Sequence, residues 1–126
     1  MKILVCGDRN WLDYALICRT LDPILLSMPD EYPSTFITII GGNAKGADTM
    51  AGIYAKAWAL SLEVYPAEWK KYGRAAGPIR NQQMLDEGKP DRVIAFHDDI
   101  EHSKGTKDMV ARAKKAGIPV EVIKHA

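Results

Sequence analysis

Five short apolar runs, each bounded by turn-forming residues and separated by stretches of helical periodicity, constrain this chain more than any other feature. The runs are Lys2–Cys6, Phe36–Ile40, Leu62–Tyr65, Arg92–Phe96 and Val120–Ile123. They are rich in Val, Ile or Phe and do not alternate cleanly, as expected of strands covered on both faces of a parallel sheet. Between them, Tyr14, Ile17, Cys18, Leu21 and Leu25 recur at helical spacing, with Asp22-Pro23 expected to break that element or start a second short turn. Ala47, Met50, Ala51, Tyr54 and Trp58 make a second stripe. Gly77-Pro78 and Gly88 frame a third helix over Pro78–Glu87, and Thr106, Met109, Val110 and Ala113 form the face of a fourth, closed by Gly117 and Pro119. Strands alternating with helices through right-handed crossovers predict an α/β fold, a three-layer, doubly wound parallel sheet.

With 126 residues the chain suits one domain, residues 1–126, with a single core. The segment Pro29–Thr35 reads as its most flexible connection. Lys and Arg total 17 against 16 Asp and Glu, so the large positive field of a duplex-binding module is missing and nucleic acid is an unlikely partner. The N-terminal apolar run is too short for a signal peptide, and no stretch approaches the roughly 20 apolar residues of a membrane span. A cytoplasmic protein is expected. Cys6 and Cys18 lack metal-type spacing and read as buried free thiols.

In an open parallel sheet, ligands bind beyond the carboxyl ends of the strands. Gly7-Asp8-Arg9 follows the first strand, Gly41-Gly42-Asn43-Ala44-Lys45-Gly46-Ala47-Asp48 the second, and His97-Asp98-Asp99 the fourth, leading to Ser103-Lys104-Gly105-Thr106. Gly41 and Gly46 have the spacing of a nucleoside-triphosphate P-loop, but Ala47 and Asp48 stand where Lys and Ser or Thr are needed, which excludes that NTPase chemistry. Asn43 at the third position excludes G-x-G-x-x-G as well. What survives is a glycine-rich run opening a helix, where bare N–H groups and the helix dipole favour an anion. Close strand–helix packing is the alternative use of the same glycines. Asp48 suits either the helix N-terminus or a ribose hydroxyl.

Ser103 and Thr106 flank Gly105 at a second helix start, as anion contacts or as ordinary caps. Arg80 and Asn81 fall in the first turn of the third helix. A cation is unfavourable there, so Arg80 should answer to a phosphate or a carboxylate outside its own helix. Arg9 carries the same ambiguity. Trp69 can stack on a base or cover the core edge, with Lys70, Lys71 and Arg74 beside it. His97, Asp98, Asp99 and His102 read as a solvated acidic loop in preference to a metal site. No metal and no cofactor are called for.

"CGDRNW", "GGNAKGAD", "AGPIRNQQM" and "SKGTKDM", in this order, resemble the SLOG superfamily of Rossmann-like nucleotide-binding proteins, in its YspA-related branch of small bacterial and phage proteins. The resemblance spans nearly the whole chain. It implies a strand order of 3-2-1-4-5, a small-molecule nucleotide ligand, and self-association into a homo-oligomer. The superfamily includes cytokinin-activating phosphoribohydrolases, the single-stranded-DNA-binding protein DprA, and proteins that sense or process NAD-derived signals. Against the phosphoribohydrolase runs R-K-x-x-M and P-G-G-x-G-T-x-x-E, Arg80, Asn81 and Met84 fit the first, while only Gly105 and Thr106 fit the second. Met109 stands where the catalytic Glu should be, leaving Asp48 or Asp108, with Arg80, as catalytic candidates.

The expectation is therefore binding of a phosphorylated nucleotide or an ADP-ribose-like ligand, in order to sense or sequester a nucleotide signal. Gly41, Gly42, Gly46 and Ala47 would cradle one phosphate, Ser103, Gly105 and Thr106 a second phosphate or ribose, and Arg9 and Arg80 would neutralise charge. Gly7, Lys45, Asp48, Trp69, Asn81 and His97 complete the candidate ligand set. N-glycosidic hydrolysis and single-stranded DNA binding are the alternatives. On this reading Gly46→Val abolishes binding in a folded domain.

Overall fold

The computed structural model describes residues 1–29 and 36–125. In chain order the elements are β1 (Lys2–Gly7), α1 (Tyr14–Leu26), β2 (Thr38–Gly41), α2 (Ala47–Ala57), β3 (Ser61–Val64), α3 (Trp69–Tyr72), α4 (Ala76–Asp86), β4 (Arg92–Phe96), α5 (Gly105–Lys115) and β5 (Val120–Ile123). All strand pairs are parallel and the sheet order is β3-β2-β1-β4-β5, as the resemblance implies. Leu4 pairs with Ile40 on one side and Val93 on the other, which puts β1 at the centre.

The period of two along β1 divides its side chains between two cores. Ile3 and Val5 pack with Ile17, Leu21, Ala51 and Tyr54 of α1 and α2. Leu4 and Cys6 pack with Met84, Leu85, Met109 and Val110 of α4 and α5. Leu4 and Val5 are fully buried, so the absence of sequence alternation has its physical reason in the two covered faces. Edge strand β3 differs: Leu62 and Val64 remain exposed.

Three local expectations need correction. α1 runs through Pro23 to Leu26. The missing proline N–H removes one helical bond, but Leu21 is fully buried, Ile24 and Leu25 pack against the same core, and the Asp22 carboxylate accepts the Tyr54 hydroxyl at 2.6 Å. Tertiary anchors thus sit on both sides of the proline. β2 starts at Thr38, leaving Phe36 half exposed ahead of it. α4 starts at Ala76, which puts Pro78 at its third position, where no intrahelical N–H bond is lost. The short helix α3 had no sequence signal. Of the connection Pro29–Thr35, residues 30–35 lie outside the described residues.

Candidate functional site

The loops leaving β1, β2 and β4 meet at the carboxyl edge of the sheet, and Asp8 ties them together. Its N–H donates to the Phe96 carbonyl at 2.8 Å, while its carbonyl accepts from Trp11 N–H at 3.1 Å and Ala47 N–H at 3.2 Å. This close approach explains two glycines. A Cβ at Gly7 would lie under 3.0 Å from the Phe96 backbone and the Ala47 side chain. One at Gly46, with φ at +78°, would run into the backbone of Asp8 and Arg9. Both glycines are there for backbone against backbone, and the Ala47 amide is already paired.

The β2–α2 loop is closed from within. One oxygen of the Asp48 carboxylate, Oδ2, accepts from Gly42 N–H at 3.1 Å and Ala44 N–H at 3.3 Å, taking amides that a phosphate would use. Its other oxygen, Oδ1, has no hydrogen-bond partner among the described residues. From the other face of the sheet Arg80 donates through Nη1 to the Gly42 carbonyl, and to the Tyr65 carbonyl at 3.5 Å. Arg80 does reach beyond its own helix, and among the described residues its acceptors there are carbonyl oxygens, not a carboxylate. A Cβ at Gly42 would strike this guanidinium, whereas one at Gly41 or Gly105 would meet nothing within 4 Å.

Arg80 Nε donates to Asn81 Oδ1 at 3.1 Å, and Asn81 Nδ2 donates in turn to the Gly105 carbonyl at 3.2 Å and to Asp108 Oδ2 at 3.0 Å. Arg112 closes the chain on the same Asp108 oxygen at 2.8 Å. Adjacent residues in the second turn of α4, not the first as expected, therefore link the β2–α2 loop to the start of α5. The price is that Asp108 Oδ2 serves the scaffold, with two donors on it. At the start of α5 the Ser103 hydroxyl accepts from Thr106 N–H at 3.1 Å, an ordinary cap, and Thr106 is buried. Met109 is buried in the apolar core beneath.

Burial dominates the electrostatics of Asp48: desolvation raises its pKa from 3.8 to about 6, opposed by the Ala44 amide, the Arg80 charge and the Gly42 amide. Cys6 beneath it is pushed up by burial and then by Asp48, which makes it an inert thiol. The opposite holds at the rim. Arg9, Lys45 and Lys104 form no ion pair among the described residues, and all three are exposed. The Arg9 backbone abuts Gly46, the residue after Lys45, while Lys104 stands at the start of α5.

The remaining candidates disperse. His97 Nδ1 accepts from Asp99 N–H at 2.9 Å, Asp99 pairs with His102, and Asp98 pairs with His125. No metal-holding group of three or more His, Cys, Asp or Glu occurs among the described residues. Trp69 is 57% exposed beside Gly77, one turn before Arg80 in α4, and Lys71 lies over the Tyr72 ring at 5.1 Å. Sequence reasoning missed Asp8, whose contribution is backbone and leaves no side-chain signal. It also missed Lys104, the Tyr65 carbonyl and His125.

The family model described as the YspA, cpYpsA-related SLOG family matches residues 1–72, which contain β1, the β2–α2 loop and Asp48. The chain is 31% identical over 124 residues to the Gene 61 protein of Mycobacterium phage D29, covering 94% of this chain and 93% of that protein. Among solved structures, DNA processing protein A (DprA) from Streptococcus pneumoniae superposes with a TM-score of 0.68 at 19% identity, over 99% of this chain and 50% of that one. This chain therefore spans about half the length of DprA, and the likeness is one of fold. No helix among the described residues is long and apolar enough to cross a membrane. By the family match and the phage relative, the chain belongs to the YspA, cpYpsA-related SLOG family.

Proposed function

We propose that this protein binds a phosphorylated nucleotide or an ADP-ribose-like ligand across the carboxyl edge of the sheet, as a sensor or sequestering protein for a nucleotide signal. The observation that carries the reading is the state of Asp48: a carboxylate fixed by two amides through Oδ2, with Oδ1 left to accept a hydroxyl, beside cations that lack acidic partners. A carboxylate receives ribose hydroxyls and cations receive phosphates. Because Asp48 and Arg80 fill the interior of the β2–α2 loop, the phosphate contacts move outward to Arg9 and Lys45 on one rim and to Ser103, Lys104 and Gly105 on the other. Arg80 and Asn81 hold the two rims at a fixed separation.

Calorimetric titration with AMP, NAD and ADP-ribose tests this. Arg9→Glu and Lys45→Glu reverse charges on exposed side chains and should each weaken binding at least 10-fold, equivalent to about 1.4 kcal/mol, with the folded state retained. Affinity equal to that of the unaltered protein in both variants would remove these residues from the site. Binding of single-stranded DNA that falls steeply with salt, with no response to the small ligands, would replace the reading altogether.

A second reading has one observation in its favour. A carboxylate titrating at about 6 with a free oxygen has the properties of a general base for N-glycosidic hydrolysis. Release of free base or ribose phosphate in the same incubations, lost in Asp48→Asn, would assign turnover.

A further inference from the structure

The chain does not end at β5. Beyond Ile123 it continues along the sheet's carboxyl edge, and His125 makes contacts that nothing in the ligand proposal uses. Its backbone N–H donates to Asp98 Oδ1 at 2.6 Å, so the segment is anchored at the end of β4. Its ring is sandwiched between charges: Nδ1 lies 2.8 Å from Asp98 Oδ2 and Nε2 lies 2.8 Å from Asp13 Oδ2. The same ring stacks on Trp11, with centroids 4.7 Å apart and planes at 17°. Trp11 is buried, tilts against Phe96 of the core, and donates its indole N–H to the Asp13 carbonyl at 3.0 Å. Asp13 is also the N-cap of α1, its Oδ1 accepting from Leu16 N–H at 3.0 Å.

A neutral imidazole has one N–H, and its second nitrogen presents a lone pair. Both His125 nitrogens face carboxylate oxygens, so only the imidazolium satisfies both contacts; the neutral ring must give up one of them. From this geometry we infer that Lys124–His125 is a protonation-dependent strap, which in its closed state ties the end of β4 to the β1–α1 loop and the start of α1, and which lets go as His125 loses its proton.

The neighbouring charges agree with this direction. Asp98 and then Asp13 raise the His125 pKa from its ordinary 6.5 through hydrogen bonding; desolvation opposes them, and the two carboxylate charges add smaller raising contributions. Reciprocally, His125 lowers both carboxylates, aided by His97 near Asp98 and Arg19 near Asp13. Because the folded pKa lies above the unfolded one, the strap's contribution is fully present below pH 6.5 and is lost as pH rises through the folded value. What the strap holds is the loop carrying Arg9, whose backbone backs Gly46. The inference concerns the protein alone and stands whether or not a nucleotide binds.

Proton and nitrogen NMR of the full chain over pH 5 to 9 tests it. His125 ring signals should titrate with a midpoint above 6.5, and the Trp11 indole N–H should shift with the same midpoint, while those of Trp58 and Trp69 do not. Asp98→Asn should bring both midpoints down together. Asp13→Asn should do the same while keeping α1 capped, since Asn and Asp cap equally well. A His125 midpoint at or below 6.5, or a Trp11 indole indifferent to it, would overturn the strap. So would midpoints unmoved in both folded variants.

Discussion

Gly46→Val is expected to cost about 4 kcal/mol of folding stability, summing roughly 2 kcal/mol for a β-branched residue held at positive φ and about 2 kcal/mol for overpacking. Gly46 has φ at +78°, and the new side chain would enter the space of the Asp8 and Arg9 backbone. Backbone has nowhere to rotate away. Asp8 is held by Phe96, Trp11 and Ala47 at once, so yielding at Gly46 would disturb all three loops. Urea unfolding checks the figure. This revises the expectation of a folded variant that has merely lost its ligand: the glycine serves the junction before it serves any guest, and charge reversal at Arg9 or Lys45 is the cleaner probe of binding. A Gly46→Val protein as stable as the unaltered one would show that the β1–α1 loop is free to shift.

The second large effect is expected at Arg80, and it should depend on pH. Arg80→Ala removes a charged donor from the Gly42 and Tyr65 carbonyls, at a cost of about 3 kcal/mol near neutral pH. It also removes the cation that partly offsets the desolvation of Asp48. A carboxyl group whose folded pKa is raised binds its proton more tightly when folded. Its environment is therefore tolerated best below 3.8, and stability is lost as pH rises through about 6. For unaltered Asp48 that loss is on the order of 3 kcal/mol, taking 1.36 kcal/mol per pKa unit. Without Arg80 the Asp48 pKa climbs further and the loss grows. The destabilisation caused by Arg80→Ala should accordingly be larger at pH 8 than at pH 4, and Asp48→Asn should remove the difference. Equal destabilisation at both pH values would mean that Arg80 and Asp48 are not coupled.

The middle of the sheet was legible because two-sided burial leaves a mark on its strands: Ile3, Leu4 and Val5 are apolar in succession since each meets one core or the other. β4 was read to the residue for the same reason. Pro23 misled because local propensity speaks against a helix there, while the stabilising contacts at Leu21 and Asp22 are tertiary. α3, only four residues long, has too few turns to show a period. The placement of the candidate residues at strand ends was also legible, because those ends are marked by glycines and charges. Their occupancy was not. A glycine looks the same in sequence whether it faces a ligand or a distant stretch of backbone, and Gly46 faces Asp8 and Arg9. Arg80 could be seen to need an acceptor beyond its helix, but carbonyl groups occur at every residue and leave no signature. His125 lies outside every motif, and its partners Asp13 and Asp98 are 112 and 27 residues away in the sequence.

Backbone amide NMR of the folded chain titrated with ADP-ribose tests the ligand proposal most directly, since it reports which residues a guest touches without assuming turnover. The account predicts shifts concentrated at Arg9, Asn43 to Lys45 and Ser103 to Gly105, the two rims that Arg80 and Asn81 hold together. Saturable shifts confined to the α3 surface around Trp69, with both rims silent, would contradict it.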